Sequence, residues 1–305
     1  MLLSVVICTH NPRPKFFERV LRGLREQTLP ASQWELVLID NASSTPLTGN
    51  WDLSWHPHSR HIREDKLGVV FARRRGMTDT KSPILTFVDD DNVLAPDYLS
   101  RTVEIAQTHP MVGSWGGSIT PEFEAPPPPW IHAHLSSLAA KEVDRDYIAN
   151  FFHWTEATPF GAGLCLRRTV ADQYLRQLAE NPLRLALGRA GKRLGAGEDT
   201  DIAWCAIDIG LLTARFHSLK ITHLIPREKL EPDYIIRLHA GLVHAEMVRA
   251  HIRGIPIPPK TIWSRMRSCV NFFTGGSLSR GILLASRKSE KETCKFLREY
   301  TASKT

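Results

Sequence analysis

A chain of 305 residues, 42% hydrophobic and 23% charged, is long enough to bury a sizeable core and has an ordinary globular composition, which excludes large-scale disorder. The formal charge of +7 is concentrated in residues 251–305, where eleven Lys or Arg face three Glu, a surplus of eight that leaves the preceding residues near −1. Five cysteines without a CxxC pair read as reduced thiols, no run of eighteen apolar residues predicts a membrane span, and "MLLSVVICTHNPRP" lacks the basic flank and cleavage site of a signal peptide.

In chain order, "LLSVVIC" predicts a buried strand, and Pro12 and Pro14 break the chain before a helix whose Phe16, Phe17, Val20, Leu21 and Leu24 recur at helical spacing. "WELVLID" predicts a second strand closed by the loop "NASSTP", "SRHIRED" a short third, "GVVFARRRGMTDT" a helix and "PILTFVD" a fourth strand. Pro96 and Asp97 start the helix of "PDYLSRTVEIAQTH". This alternation predicts parallel βαβ units, in which ligands bind beyond the carboxyl ends of the strands. The polar residues at three strand ends converge there: Thr9, His10 and Asn11, then Asp40 and Asn41, then Asp89 to Asp91.

From about residue 112 the alternation weakens. "VGSWGGSIT" and "FGAGLCLRR" predict strands on either side of the stiff "PPPP" segment, "DIAWCAIDIG" a helix, "KITHLIP" a short strand, and residues 232–252 a further helix. The basic end, with Trp263, Phe272, Phe273, Ile282 and Leu283, predicts amphipathic helices that either pack on their own domain or lie on an anionic membrane surface.

Two acidic clusters carry candidate chemistry. Three adjacent carboxylates at the end of an apolar strand repel one another unless a cation or a proton neutralises them. If extended geometry persists, Asp89 and Asp91 share a side and suit Mg²⁺ or Mn²⁺, with a solvated turn as the alternative. In "GAGEDTDIAW", Glu198, Asp199 and Asp201 open a helix, where its dipole favours acidic residues. The spacing leaves a structural role and a catalytic one equally open.

Six elements in order resemble the inverting glycosyltransferases of family 2: "SVVICTHN", "LVLIDNASS", "LGVVFARRRGM", "FVDDD" as a DXD motif, "GAGLCLRR" and "GEDTDIAW", over residues 3 to about 225. The resemblance implies a GT-A fold: an α/β domain with a Rossmann-like, mostly parallel central sheet flanked by helices. Residues 1–225 would form it, with a nucleotide-binding half at 1–111 and an acceptor-binding half at 112–225, followed by a basic helical extension at 226–305. It also implies a hexosyltransferase-type enzyme using Mn²⁺ or Mg²⁺ and a nucleotide-sugar donor, a UDP-sugar by preference.

Carried over by position, Thr9, Asn11, Asp40, Arg73, Asp89 and Asp90 are nucleotide-binding residues. Asp91 and Asp89 are metal ligands, with His223 a looser match that a structural histidine explains equally. Asp199 is the general base, with Glu198 beside it. Pro12 after Asn11, and Arg74 and Arg75 after Arg73, depart from the family pattern. Trp130, Trp154 and Phe160 lie where such enzymes bind the acceptor.

The implied reaction moves a sugar to a hydroxyl of a glycan or lipid-linked acceptor. It would serve bacterial surface polysaccharide assembly, in the cytoplasm or peripheral to the membrane's inner face, with no nucleic-acid partner. A sugar-phosphate nucleotidyltransferase and a non-catalytic glycan-binding protein are the alternatives. The first calls for a glycine-rich phosphate loop after the first strand, and "CTHNPRP" has no glycine.

Overall fold

Strands built from branched apolar residues on both faces need cover on both sides, which places them at the centre of a sheet. In the computed structural model, which describes residues 1–189, 194–195, 197–257 and 276–303, this holds for β1 (Leu3–Thr9), β2 (Trp34–Asn41) and β4 (Ile84–Asp89), buried along nearly their whole lengths. β1 pairs in parallel with β2 on one side and β4 on the other, and β2 pairs in parallel with β3 (Ser59–Glu64). The register sets Thr9 beside Asp40 and Cys8 beside Asp89, so the polar strand ends are level.

Between these strands run α1 (Pro14–Arg25) and α2 (Val69–Asp79). α1 starts with Pro14, whose fixed φ suits a first helical turn, and buries Phe17, Val20, Leu21 and Leu24. The chain leaves β1 for β2 and β3 on one side, then returns to β4 on the other. The resulting crevice between β1 and β4 is a topological switch point.

The second half comprises β5 (Asn92–Leu94), α3 (Tyr98–Thr108), β6 (Val112–Phe123), β7 (Tyr147–Ala149), β8 (Cys165–Arg167), α4 (Arg168–Glu180), α5 (Glu198–Asp208) and β9 (Leu212–Ile225). The sheet order is β3-β2-β1-β4-β8-β6-β9-β5, with β7 also on β9. The expected central sheet flanked by helices is present. Its parallel character is carried by β3-β2-β1-β4 and by the β6–β9 pair, whereas β8, β5 and β7 pair antiparallel. β8 falls within the strand expected at "FGAGLCLRR", whereas β5 and β7 are short and reached through turns and loops, so helix–strand alternation in the sequence does not register them. β9 begins at Leu212, eight residues before the anticipated "KITHLIP". Fully buried Arg215 masks the apolar pattern there while donating through Nε to the Gly117 carbonyl at 3.2 Å.

After β9, α6 (Pro232–Ile252) and α7 (Ser277–Ala302) pack on each other and on the body. Ile225, Tyr234, Ile235 and Leu238 form one apolar cluster with Ile131 and Leu138, and Ile282 of α7 packs against it. Trp263, Phe272 and Phe273 lie outside the described residues. Among those described, no helix is long and apolar enough to cross a membrane.

Gly163 in the loop before β8 has φ +66°, and its carbonyl accepts a 2.7 Å bond from the buried Tyr98 hydroxyl. A Cβ there would lie 2.6 Å from that hydroxyl and collide with Ile221. Gly163→Ala is expected to lower unfolding free energy by roughly 1–3 kcal/mol, measured by urea denaturation.

Candidate functional site

The strand ends open into a cavity of about 330 Å³ at the switch point. Its walls come from Cys8, Thr9 and His10 after β1, Asn41 after β2, the first turn of α2, and Asp89 to Asn92. Opposite stand Gly161, Glu198, Asp199, His223, Lys229 and Tyr234. Asn41 shapes the approach to α2: its Oδ1 accepts from the Gly68 N–H at 2.8 Å, and its Nδ2 donates to the Lys66 carbonyl at 2.7 Å. Cys8 is no nucleophile, because burial pushes its thiol up to about 12.

β4 ends at Asp89, and Asp90 and Asp91 form the turn into β5. The extended alternation considered for the three aspartates therefore stops after the first. Each carboxylate finds a different partner. Asp90 accepts a short bond from the Thr9 hydroxyl, and burial, reinforced by the neighbouring Asp91 charge, raises it to about 7. Burial would raise Asp91 too, but Lys229 and His223 outweigh it and hold that carboxyl far below the usual range. Lys229 Nζ lies 2.8 Å and His223 Nε2 3.3 Å from Asp91 Oδ2. Asp89 is raised by desolvation, against the pull of Arg73.

Carboxylates of Asp89 and Asp91 with the His223 imidazole are donors of the kind a divalent cation takes beside phosphate. Among the described residues, the buried Nδ1 of His223 has no hydrogen-bond partner. The cation seen on Asp91 is the Lys229 ammonium, and among the described residues no three His, Cys, Asp or Glu side chains converge in a metal-holding group.

Arg73 links the two acidic clusters. Its guanidinium, 3% exposed, lies 3.1 Å from Glu198 Oε1 and 3.4 Å from Asp89 Oδ1. Burial acts to lower its pKa, but Glu198, Asp89 and Asp199 prevail and drive it upward. Burial raises the Glu198 carboxyl to about 7 despite Arg73. Asp199, half-buried at the start of α5, accepts the Gly161 N–H at 2.9 Å through Oδ2 and faces the cavity. Asp201 takes the structural role that the sequence left open for this cluster. It is fully buried, held by Arg184 and by Arg253 Nη2 at 3.1 Å, and so ties α5 to the end of α6.

Of the candidate residues, Thr9, Arg73, Asp89, Asp90, Asp91, Glu198, Asp199 and His223 line one cavity, while Asn11 and Asp40 do not. Asn11, at φ 49°, accepts from the Ser44 N–H at 2.9 Å and joins the loops after β1 and β2. Asp40 accepts from the N–H groups of Ser43 and Leu47 and from Arg63 Nη1 at 2.7 Å. Arg13, following the unusual Pro12, pairs with Glu124 and Glu228. Arg74 and Arg75 lie outside the cavity lining, and Arg75 pairs with Asp79. Trp130 packs against the α6 cluster, whereas Trp154 is 40% exposed with its ring 6.0 Å from Phe160. Lys229, Arg189 and Tyr234 also line the cavity. Sequence reasoning missed Lys229 and Tyr234 as lining residues because "PREKLEPDY" reads as a solvated turn and helix start, and Arg189 lies in a stretch that carries no motif.

Residues 4–175 match the family model for Glycosyl transferase family 2. An uncharacterized protein, y4gI, of Sinorhizobium fredii is 27% identical over 118 residues, covering 36% of this chain and 12% of that protein. A glucosyl-dolichyl phosphate glucuronosyltransferase of Haloferax volcanii is 22% identical over 129 residues, covering 42% and 41%. The chain thus spans well under half the length of these curated relatives. The crystal structure of S. aureus TarS residues 1–349 in complex with UDP superposes with a TM-score of 0.55 at 11% identity, covering 97% of this chain and 92% of that one. This likeness supports the GT-A arrangement of sheet and helices.

Arg73→Met is expected to cost about 3–5 kcal/mol in denaturant unfolding, because it strands Glu198 and Asp89 without their cation. A second expectation concerns pH. The folded chain keeps the Glu198 proton to about pH 7, whereas the unfolded chain releases it near 4.5. The native state binds more protons in that window, so this group's contribution to stability falls as pH rises from about 4.5 to about 7. Glu198→Gln should flatten that decline in unfolding curves recorded across the window.

Proposed function

The chain belongs to glycosyl transferase family 2, and on that premise we propose that it transfers a hexose, with inversion, from a nucleoside diphosphate donor to a hydroxyl of a glycan or lipid-linked acceptor. The observation carrying this reading is the half-buried Asp199 carboxylate, held by the Gly161 N–H at 2.9 Å in the same cavity as the Asp89–Asp91 turn. A sugar hydroxyl is a weak nucleophile, and a carboxylate within hydrogen-bond reach accepts its proton as it attacks. The acceptor oxygen forms the new C–O bond, the bond from the anomeric carbon to the diphosphate breaks on the opposite face, and the proton goes to Asp199. One displacement inverts the centre, and the nucleoside diphosphate leaves with the bonding electrons.

The donor diphosphate lies against the aspartate turn, with Lys229 and Arg189 offsetting its charge. A divalent cation would be held by carboxylates of the Asp89–Asp91 turn together with the donor's own phosphate oxygens, not by a three-residue protein cage, and would supply stabilisation of the leaving diphosphate. Asn11 and Asp40 order the loops that flank the nucleoside, and Thr9 orients Asp90. Arg73 fixes Asp89 and Glu198 relative to each other, and Glu198 in turn neighbours Asp199. The UDP in the TarS complex supports a uridine donor. The lipid-phosphate substrate in the name of the Haloferax relative supports a lipid-linked acceptor. Work at an inner membrane face, in surface polysaccharide assembly, fits the basic surplus of residues 251–305.

Asp199→Asn is expected to lower turnover by roughly 10²–10⁴-fold while UDP still raises the melting midpoint. A thermal-shift panel of nucleoside diphosphates, with and without Mn²⁺, checks the donor side. Absence of any shift across that panel, with metal present, would overturn the transferase reading.

A further inference from the structure

Both oxygens of the Asp91 carboxylate are taken by groups of the chain itself. Oδ1 accepts from Asn92 Nδ2 at 3.0 Å, and Oδ2 meets Lys229 Nζ at 2.8 Å and His223 Nε2 at 3.3 Å. Backbone pairing sets this arrangement. Asn92 stands opposite His223 in the β5–β9 ladder, and the Asp91 carbonyl accepts from the Leu224 N–H at 2.8 Å. A few residues on, the chain makes one short helical turn, Arg227–Leu230, between β9 and α6. That turn is held at both ends: the Arg227 N–H donates to Glu124 at 2.9 Å, and Leu230 is buried in the apolar cluster with Tyr234. The Lys229 N–H donates to the Pro226 carbonyl at 3.0 Å, so a change of partner for its ammonium requires only side-chain rotation.

The ammonium and a divalent cation compete for Asp91 Oδ2. Two cations on one carboxylate oxygen repel each other, the more so where burial removes water, and the side chains of Lys229 and Asp91 are only 17% and 18% exposed. Displacing the ammonium without offering it another anion would strand a largely buried charge, which is costly. A donor diphosphate supplies that anion. Lys229 lines the same cavity as Asp91, and its flexible four-carbon stem carries a point charge suited to phosphate oxygens. Among the described residues, Asp91 is the one carboxylate that the ammonium bonds, so a single contact is given up when it moves.

We propose that Lys229 makes cation binding conditional on the donor: its ammonium holds Asp91 Oδ2 in the unliganded chain, a nucleoside diphosphate draws it off, and the aspartate turn and the phosphate oxygens then take the divalent cation together. The inference rests on the donor reading of the cavity and adds to it a coupling, in which diphosphate and metal each favour the other's entry. Such coupling is reciprocal: UDP strengthens Mn²⁺ binding by the factor by which Mn²⁺ strengthens UDP binding.

The test is titration of the full chain with Mn²⁺, followed by the electron paramagnetic resonance signal of free Mn²⁺, with and without UDP and against a blank of UDP alone. UDP should strengthen Mn²⁺ binding to the unsubstituted chain by about tenfold or more. Lys229→Met should raise the nucleotide-free affinity for Mn²⁺ by about tenfold and shrink the gain from UDP. Lys229→Arg, which keeps a positive charge at the turn, should leave nucleotide-free binding as weak as in the unsubstituted chain. Without nucleotide, Mn²⁺ should raise the melting midpoint of Lys229→Met more than that of the unsubstituted chain, a readout that also shows the variant to be folded. Equal nucleotide-free affinity in Lys229→Met and the unsubstituted chain would overturn the proposal, as would Mn²⁺ binding to the unsubstituted chain that UDP leaves unchanged. In either case a UDP thermal shift keeps the donor reading. If UDP shifts none of the chains, with or without Mn²⁺, the donor reading fails and the donor-dependent exchange fails with it.

Discussion

A single buried guanidinium holds the candidate site together. Arg73 leaves α2 among apolar neighbours, near the Phe87 ring, and meets Asp89 from the first acidic cluster and Glu198 from the second. Removing such a cation from water costs several kcal/mol, and only close carboxylates recover it. The parallel half of the sheet and the later α5 are therefore locked in one relative position by charge as well as by packing. Asp199 follows Glu198 directly, so its placement derives from the same bridge.

The acidic turn after β4 works by similar compensation. Three adjacent carboxylates would repel one another in isolation, yet each is matched from a different part of the chain: Asp89 by Arg73, Asp90 by Thr9, Asp91 by Lys229 and His223. Asp90 follows the route of proton uptake, and Asp91 that of a paired anion, because Lys229 and His223 make direct contact with the second and Lys229 acts on the first only from a distance. Farther out, Asp201 with Arg184 and Arg253 fastens the C-terminal helices to α5.

Much of this was legible in the residues. The apolar runs of β1, β2 and β4 and their polar ends read directly from the sequence, because a strand buried on both faces repeats the same demand at every position. The helical spacing in α1 and in residues 232–252 was equally visible. Short β5 and β7 were harder, since each has only three residues and depends on distant partners. β9 was seen only from Lys220 onward because buried Arg215 and the polar residues near it conceal the start of the strand, where the Arg215 Nε–H is satisfied by a backbone carbonyl.

By itself, the sequence determined the order of the motifs, the strands that aim them and the family they resemble, because these follow from patterns repeated over a few neighbouring residues. The tertiary structure decided which carboxylate meets which partner. Glu198 pairs across 125 positions with Arg73, and Asp91 pairs across 138 with Lys229. No local periodicity encodes such contacts, since they arise only when packing brings separate elements together and burial makes an unpaired charge costly. That same constraint separated the structural Asp201 from the cavity-facing Asp199 two residues before it.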